Sequence, residues 1–355
     1  MIKRKEHLSL PILLNRRSVS SAVISFFSLF IILGAESIKE TIISPVFQFG
    51  GLETEPHKQL NRPSDFIITS NNEIVISDSK DNCIVILDTN GNLIKRIGIL
   101  GQGPGEFSRP GKVGLLNDNL LIADNGNYRI QILTKSGECV KIYSFYGASL
   151  LALGAHIWFS KDGGYYYSTE GINSENLVHL CSIDGKKLAG YGSIYGKKTT
   201  FLSMGTDLVK KGKIPDWYKN RVIPAVDSPG SVYCIHRSLP IIKKYSSRGE
   251  FIWERNLDLP EFERIRLNWI KANQKAPPNG SYSLEYWADV DIDERGNIYL
   301  LVRWAQRMTV CVINKSGKMA ALYKGVNDNI SMICVHGKEL WAFGGESHIF
   351  YKFIL

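Results

Sequence analysis

Five glycines, Gly91, Gly137, Gly185, Gly249 and Gly317, close five copies of one short pattern. In each copy an apolar residue stands seven positions before the glycine: Ile84, Ile130, Val178, Ile242 and Val310. This is a strand running into a hairpin turn, and Asn-Gly, Ser-Gly or Asp-Gly supplies the positive φ that such a turn requires in four of the five. The glycines lie 46, 48, 64 and 68 residues apart, so the repeat is longer than one hairpin. A second strand pair precedes the turn, as in Asp65–Thr69 with Glu73–Ser77 and Val290–Asp293 with Asn297–Val302. Each unit therefore holds four short strands. A sheet of this kind is apolar on both faces and cannot bury them alone, so the units must stack, and stacking around an axis leaves only short edges.

The predicted fold is all-β: a six-bladed β-propeller of four-stranded antiparallel blades, occupying residues 42–355. Its units are Arg62–Ile97, Gln102–Phe145, Leu150–Gly190, Asn220–Leu257, Tyr286–Lys324 and Ile330–Leu355. The last unit shows only three strands, and the β-like run Ile42–Phe49 is expected to supply the fourth, closing the ring with an N-terminal strand against residues 348–355 and removing an open edge. Two insertions interrupt the rhythm. Tyr191–Lys219 is basic and aromatic, with Lys197, Lys198, Phe201, Trp217 and Tyr218. Residues 260–273 read as one inserted helix, with Pro260 in its first turn and Phe262, Ile265 and Trp269 along one face.

Residues 1–35 are expected to be a signal peptide or an N-terminal membrane anchor. A basic stretch leads into Val19–Leu33, which is free of charge, and Ala35 is a small residue suited to a cut. The basic flank would stay in the cytoplasm and place the remainder outside, so the chain is expected to be extracytoplasmic, with membrane anchoring through 19–35 if the segment is retained. The net charge of +9 falls to 38 basic against 33 acidic residues once this leader is set aside, and the excess forms no continuous stripe, so no nucleic-acid partner is expected. The six cysteines stand singly in β-like runs, none at a CxxC spacing, and are expected to be free buried thiols.

The segment Gly101-Gln-Gly-Pro-Gly-Glu-Phe-Ser-Arg-Pro110, followed by Leu121-Ile-Ala-Asp-Asn-Gly-Asn-Tyr-Arg-Ile-Gln-Ile-Leu133, resembles an NHL repeat, and Ile76-Ser-Asp78 with Asn82 is a weaker copy. The match covers about 90 residues and degenerates afterwards. The resemblance implies a six-bladed propeller, similar to exported bacterial propellers of unassigned role. Lactonases and amidating lyases on a similar fold hold a metal in the central channel, but their ligands match no positions here.

Asp124, Asn127 and Arg129 read as structural: an Asp ending a strand accepts amides from the turn that follows, Asn tolerates the left-handed conformation, and Arg can bridge to a neighbouring carboxylate. Gly101, Gly103 and Gly105 read as inter-blade turn glycines, since no helix follows to bind a phosphate. Of the seven histidines, His156, His236 and His336 could meet in a channel and hold zinc. The preferred function is a binding scaffold without catalysis, expected to act as a monomer and to take a protein, peptide or glycan on its loop face. Arg62, Arg109, Arg221, Trp287 and Arg303 are the candidate rim residues, and no cofactor is specified. The alternative is a metal-assisted hydrolase or lyase working in the channel.

Overall fold

The computed structural model describes residues 40–52, 60–145, 156–198, 207–277 and 280–355. The leader predicted over 1–35 and Phe201 lie outside the described residues. Two strands come first, β1 (Glu40–Ile42) and β2 (Phe47–Gly50). Blade one is β3 to β6 (Pro63–Ile68, Glu73–Asp78, Cys83–Asp88, Leu93–Ile97), and blade two is β7 to β10 (Pro110–Leu116, Asn119–Asp124, Arg129–Leu133, Cys139–Ser144). Blade three is β11 to β14 (Ile157–Phe159, Tyr165–Ser168, Asn176–Cys181, Lys187–Ser193), and blade four is β15 to β18 (Val222–Val226, Val232–His236, Ile241–Tyr245, Phe251–Asn256). Blade five is β19 to β22 (Trp287–Ile292, Ile298–Val302, Thr309–Ile313, Met319–Lys324), and blade six has β23 to β25 (Ile330–His336, Glu339–Gly344, Ile349–Ile354). Each blade is an antiparallel meander with its strands in sequence order.

The ring closes as the sequence requires, with one refinement. β2 pairs antiparallel with β25, from Phe47 opposite Lys352 to Gly50 opposite Ile349, and completes blade six. The run 42–49 is not one strand, however. Its beginning belongs to β1, which pairs parallel with β22 and adds a fifth strand to blade five. Phe49 stacks on Phe350 at 5.2 Å and meets Trp341 edge-on at 6.5 Å, so the closure is packed as well as hydrogen-bonded.

The five repeat glycines all occupy the turn between the third and fourth strands of their blades, each at φ between 82° and 93°. The amide of each donates to the carbonyl three residues back, as Gly91 does to Asp88 and Gly317 to Asn314. A polar side chain at that third position then receives the amide beyond the glycine: Asp88 from Asn92, Thr134 from Glu138, Ser246 from Glu250, Asn314 from Lys318. The repeat is thus a turn that satisfies its own backbone.

Apolar clusters straddle neighbouring blades rather than lying within one. Phe66, Ile74 and Val85 of blade one meet Trp341, Phe343 and Phe350 of blade six, Val113 and Leu120 of blade two meet Ile84 and Ile86 of blade one, and equivalent clusters join blades two to three, three to four and five to six. Between blades four and five, Lys244 and Trp253 donate to the Lys315 carbonyl at 3.4 and 3.3 Å, and Arg255 donates to the Gly317 carbonyl at 3.1 Å. Asp124 accepts the Ser108 amide at 2.7 Å and pairs with Arg129 at 2.8 Å, while Arg129 also donates to the carbonyls of Gly103 and Glu106. This set ties an inter-blade loop to its blade. All six cysteines are free and all but Cys139 are buried.

The inserted helix, with two one-turn helices α1 (Asp207–Lys210) and α2 (Asp216–Lys219) before it, is α3 (Pro260–Gln274). Phe262, Ile265, Trp269 and Asn273 form its buried face. Phe262 packs on Tyr286 and Trp287 at 4.8 and 5.2 Å, and Asn273 accepts the Tyr282 amide at 2.8 Å. The first three residues of the insertion predicted at 191–219 belong instead to β14.

Candidate functional site at the channel mouth

The first strand of every blade, β3, β7, β11, β15, β19 or β23, has its inner edge free, so its amides need other acceptors. Carboxylates on neighbouring first strands supply several. Asp65 accepts from Val113 at 2.9 Å, Asp289 from Ile333 at 2.8 Å and Asp291 from Val335 at 2.6 Å. The channel between these strands holds a cavity of about 230 Å³, to which all six blades contribute. Lys112 bonds Asp65 at 2.8 Å and lies 5.7 Å from the Trp158 ring centre.

Burial dominates the titration of these groups. It raises Asp289 to about 7 against the pull of Lys112, and Asp291 to about 6. Burial also works against the charge on Lys112, but Asp65 and the other channel carboxylates outweigh it and raise the amine. His156, just before β11, is held well below its ordinary value by burial and then by Arg237, Arg221, Lys112 and Arg303, so its ring is neutral at physiological pH.

The residues just before the first strands and those following the second strands land on one end of the ring. Three blades build an ion-pair network there: Glu170 after β12, Arg221 before β15, Arg237 after β16, Glu285 before β19 and Arg303 after β20. Arg221 pairs with Glu170 at 2.9 Å and lies 3.7 Å from Glu285. Arg237 bonds Glu285, whose other oxygen holds Arg303 at 3.0 Å. Ser168 donates to Glu170 at 3.0 Å. Burial raises the Glu170 carboxyl despite the flanking arginines. The Arg303 guanidinium sits 5.3 Å from the ring centre of Trp304, which is 59% exposed.

Of the residues singled out by sequence, Arg221 and Arg303 belong to this network. Arg62 and Arg109 stand on the same end, exposed, before the first strands of blades one and two. Trp287 starts β19, but its ring is 1% exposed beneath α3, out of reach of a ligand at the rim. The three histidines do not converge. His236 is buried with Nδ1 on the Lys219 carbonyl at 2.7 Å, and His336 ends β23 at the far end of the ring from His156. Among the described residues no group of three His, Cys, Asp or Glu side chains could hold a metal ion. One nucleophile-and-base geometry does occur: Ser174 and Tyr167 flank the two nitrogens of His179, each at 2.9 Å. Ser174 is 6% exposed, and burial with Lys187 lowers His179 to about 4, so the pair is an internal brace.

Sequence reasoning missed Glu170, Arg237 and Glu285, whose positions follow no repeat signature. It also missed the channel carboxylates, although the alternation Asp289-Val-Asp-Ile292 puts Asp289 and Asp291 on one side of a strand.

These features define a six-bladed β-propeller with a charged channel mouth. The family model described as DUF5128, 6-bladed beta-propeller, matches residues 31–215, just over half of the chain, and the chain belongs to that family. No curated protein matches it. Among solved structures, a member of the DUF4221 family from Bacteroides vulgatus is similar at a TM-score of 0.55 and 13% identity, covering 88% of this chain and 97% of that one. A Bacteroides fragilis protein described as exported gives 0.54 at 11%, covering 89% and 99%. Virginiamycin B lyase from Staphylococcus aureus gives 0.50 at 12%, covering 87% and 98%. At these identities the likeness is one of fold.

Proposed function

We propose that this protein is an exported binding propeller without catalysis, which takes its ligand at the channel mouth over blades three to five. The observation that carries the reading is the pairing of a half-buried Arg303 with an exposed Trp304, the arginine held by a buried arginine–glutamate network and the Trp304 carbonyl by Arg264. Rigid cation-and-aromatic pairs of this kind are the usual anchors of binding sites. Export is supported by the charge-free run 19–33 and by the fold shared with a protein described as exported. Among the described residues no helix is long and apolar enough to cross a membrane. The segment 101–133 is read as an NHL-type repeat on the strength of its Asp124–Arg129 brace.

Arrays of glycans and peptides probed with the full chain test this. The double variant R303A/W304A should lose the wild-type binding pattern, whereas R295A/K315A, at the opposite end of the ring, should keep it. A pattern that survives R303A/W304A, or the absence of any binder, refutes the proposal.

A further inference from the structure

The channel cavity is a second place for a ligand, apart from the rim pair, since neither Arg303 nor Trp304 lines it. Its walls are the beginnings of the six first strands, with Asn125 added from the turn after β8 and His156 from just ahead of β11. Ser64 of β3 lies on its wall and is exposed to solvent. At about 230 Å³ the cavity is smaller than the roughly 300 Å³ at which drug-sized pockets begin, and suits one small ring.

Three side chains on blades two and three have hydrogen-bonding capacity here that the protein leaves unused. The Asn125 Oδ1 is buried with no hydrogen-bond partner among the described residues. The amide nitrogen of the same side chain stands 2.2 Å from where a Cβ on Gly111 would be, so the glycine makes room for it. The ring of His156 makes no hydrogen bond among the described residues, its backbone being held by Ser168. Lys112 gives one bond, to Asp65 at 2.8 Å, and an ammonium has three donors. The three are neighbours: Asn125 packs on Gly111, next to Lys112 in the chain, and Lys112 lies 5.7 Å from the ring centre of Trp158, two residues after His156.

Charge on the lining side chains balances. Lys112 pairs with Asp65, the ring of His156 is neutral, and burial, against the pull of Lys112, lets Asp289 keep its proton up to about pH 7. An ionic ligand would therefore enter without a free counter-charge to meet it, which is costly away from water. A hydroxyl both donates and accepts, so one kind of group answers the bare Asn125 oxygen and the spare Lys112 donors alike. Trp158, Ile223 and Met332 add apolar wall between the polar groups. We propose that the channel cavity binds one neutral monosaccharide in its ring form, with hydroxyls on Asn125, Lys112 and His156 and C–H groups against the apolar wall.

The test is calorimetric titration of the full chain at pH 6 with glucose, galactose and mannose. At least one should bind, about tenfold or more tighter than its own 2-amino and uronic acid forms, which bring an unmatched charge. Asn125→Ala removes the bare acceptor, breaks no hydrogen bond found among the described residues, and should weaken that hexose by about tenfold. Ser64→Trp, which places a large ring at the cavity from an exposed position, should abolish its binding. The contrast between neutral and charged sugars on the wild-type protein stands even if a variant fails to fold. The proposal is overturned if none of the three hexoses binds, if a charged form binds as tightly as its parent, or if binding passes unchanged through both variants. Any of these leaves the rim reading intact, because arrays probed with R303A/W304A decide that separately.

Discussion

Asp289 gives the sharpest test of the channel electrostatics. Its carboxyl is raised from 3.8 to about 7, chiefly by burial. Between those values the folded chain holds a proton that the unfolded chain has released, so stability falls as pH rises through that window and levels off above it. From pH 5 to pH 8 the folded carboxyl crosses its own pKa, a change of about two units or roughly 3 kcal/mol; Asp289 lines the cavity and is only half-buried, and solvent screening reduces this to about 1–2 kcal/mol. Asp289→Asn keeps an acceptor for the Ile333 amide and cannot ionise, and its lost contact with the Val290 amide costs the same at both pH values. Urea unfolding of wild type and variant at pH 5 and pH 8 should therefore show the stability difference shifting by about 1–2 kcal/mol toward the variant at the higher pH. A difference independent of pH, or one that moves against the variant at pH 8, would refute the reasoning.

Phe49→Ala removes the ring stacked on Phe350 and should destabilise by about 2–3 kcal/mol, seen as a lower urea midpoint, because it opens the closing sheet as well as a cavity. Asp124→Ala leaves the Ser108 amide without its acceptor and Arg129 without its carboxylate, and should cost about 3 kcal/mol, with faster hydrogen exchange in residues 101–108. Gly111→Ala drives a methyl group into the Asn125 amide and should destabilise by about 1–3 kcal/mol, seen as a lower urea midpoint.

The fold was legible because its repeat is a chemical necessity of the turn. Gly137 and Thr134 recur at fixed spacing since one needs positive φ and the other must receive an amide, and both demands are local. Ring closure was legible because blade six visibly lacked a strand; its register was not, since Ile42 and Phe49 are equally apolar and only the packed ring assigns β1 to blade five and β2 to blade six. The site was legible only in part. Arg221 and Arg303 stand out next to strand boundaries, but Glu170, Arg237 and Glu285 become partners only once three blades are set around an axis. Trp287 occupies the position of a rim residue in sequence, and the helix inserted before it covers its ring.

The central claim is that ligand is held where the first strands begin. Hydrogen-exchange footprinting of the full chain, with and without the strongest binder found on the arrays, tests it most directly. Protection confined to residues 168–176, 237–240 and 303–308 is the predicted result; protection of the glycine turns at 89–91, 184–186 or 315–317, at the other end of the ring, would contradict it.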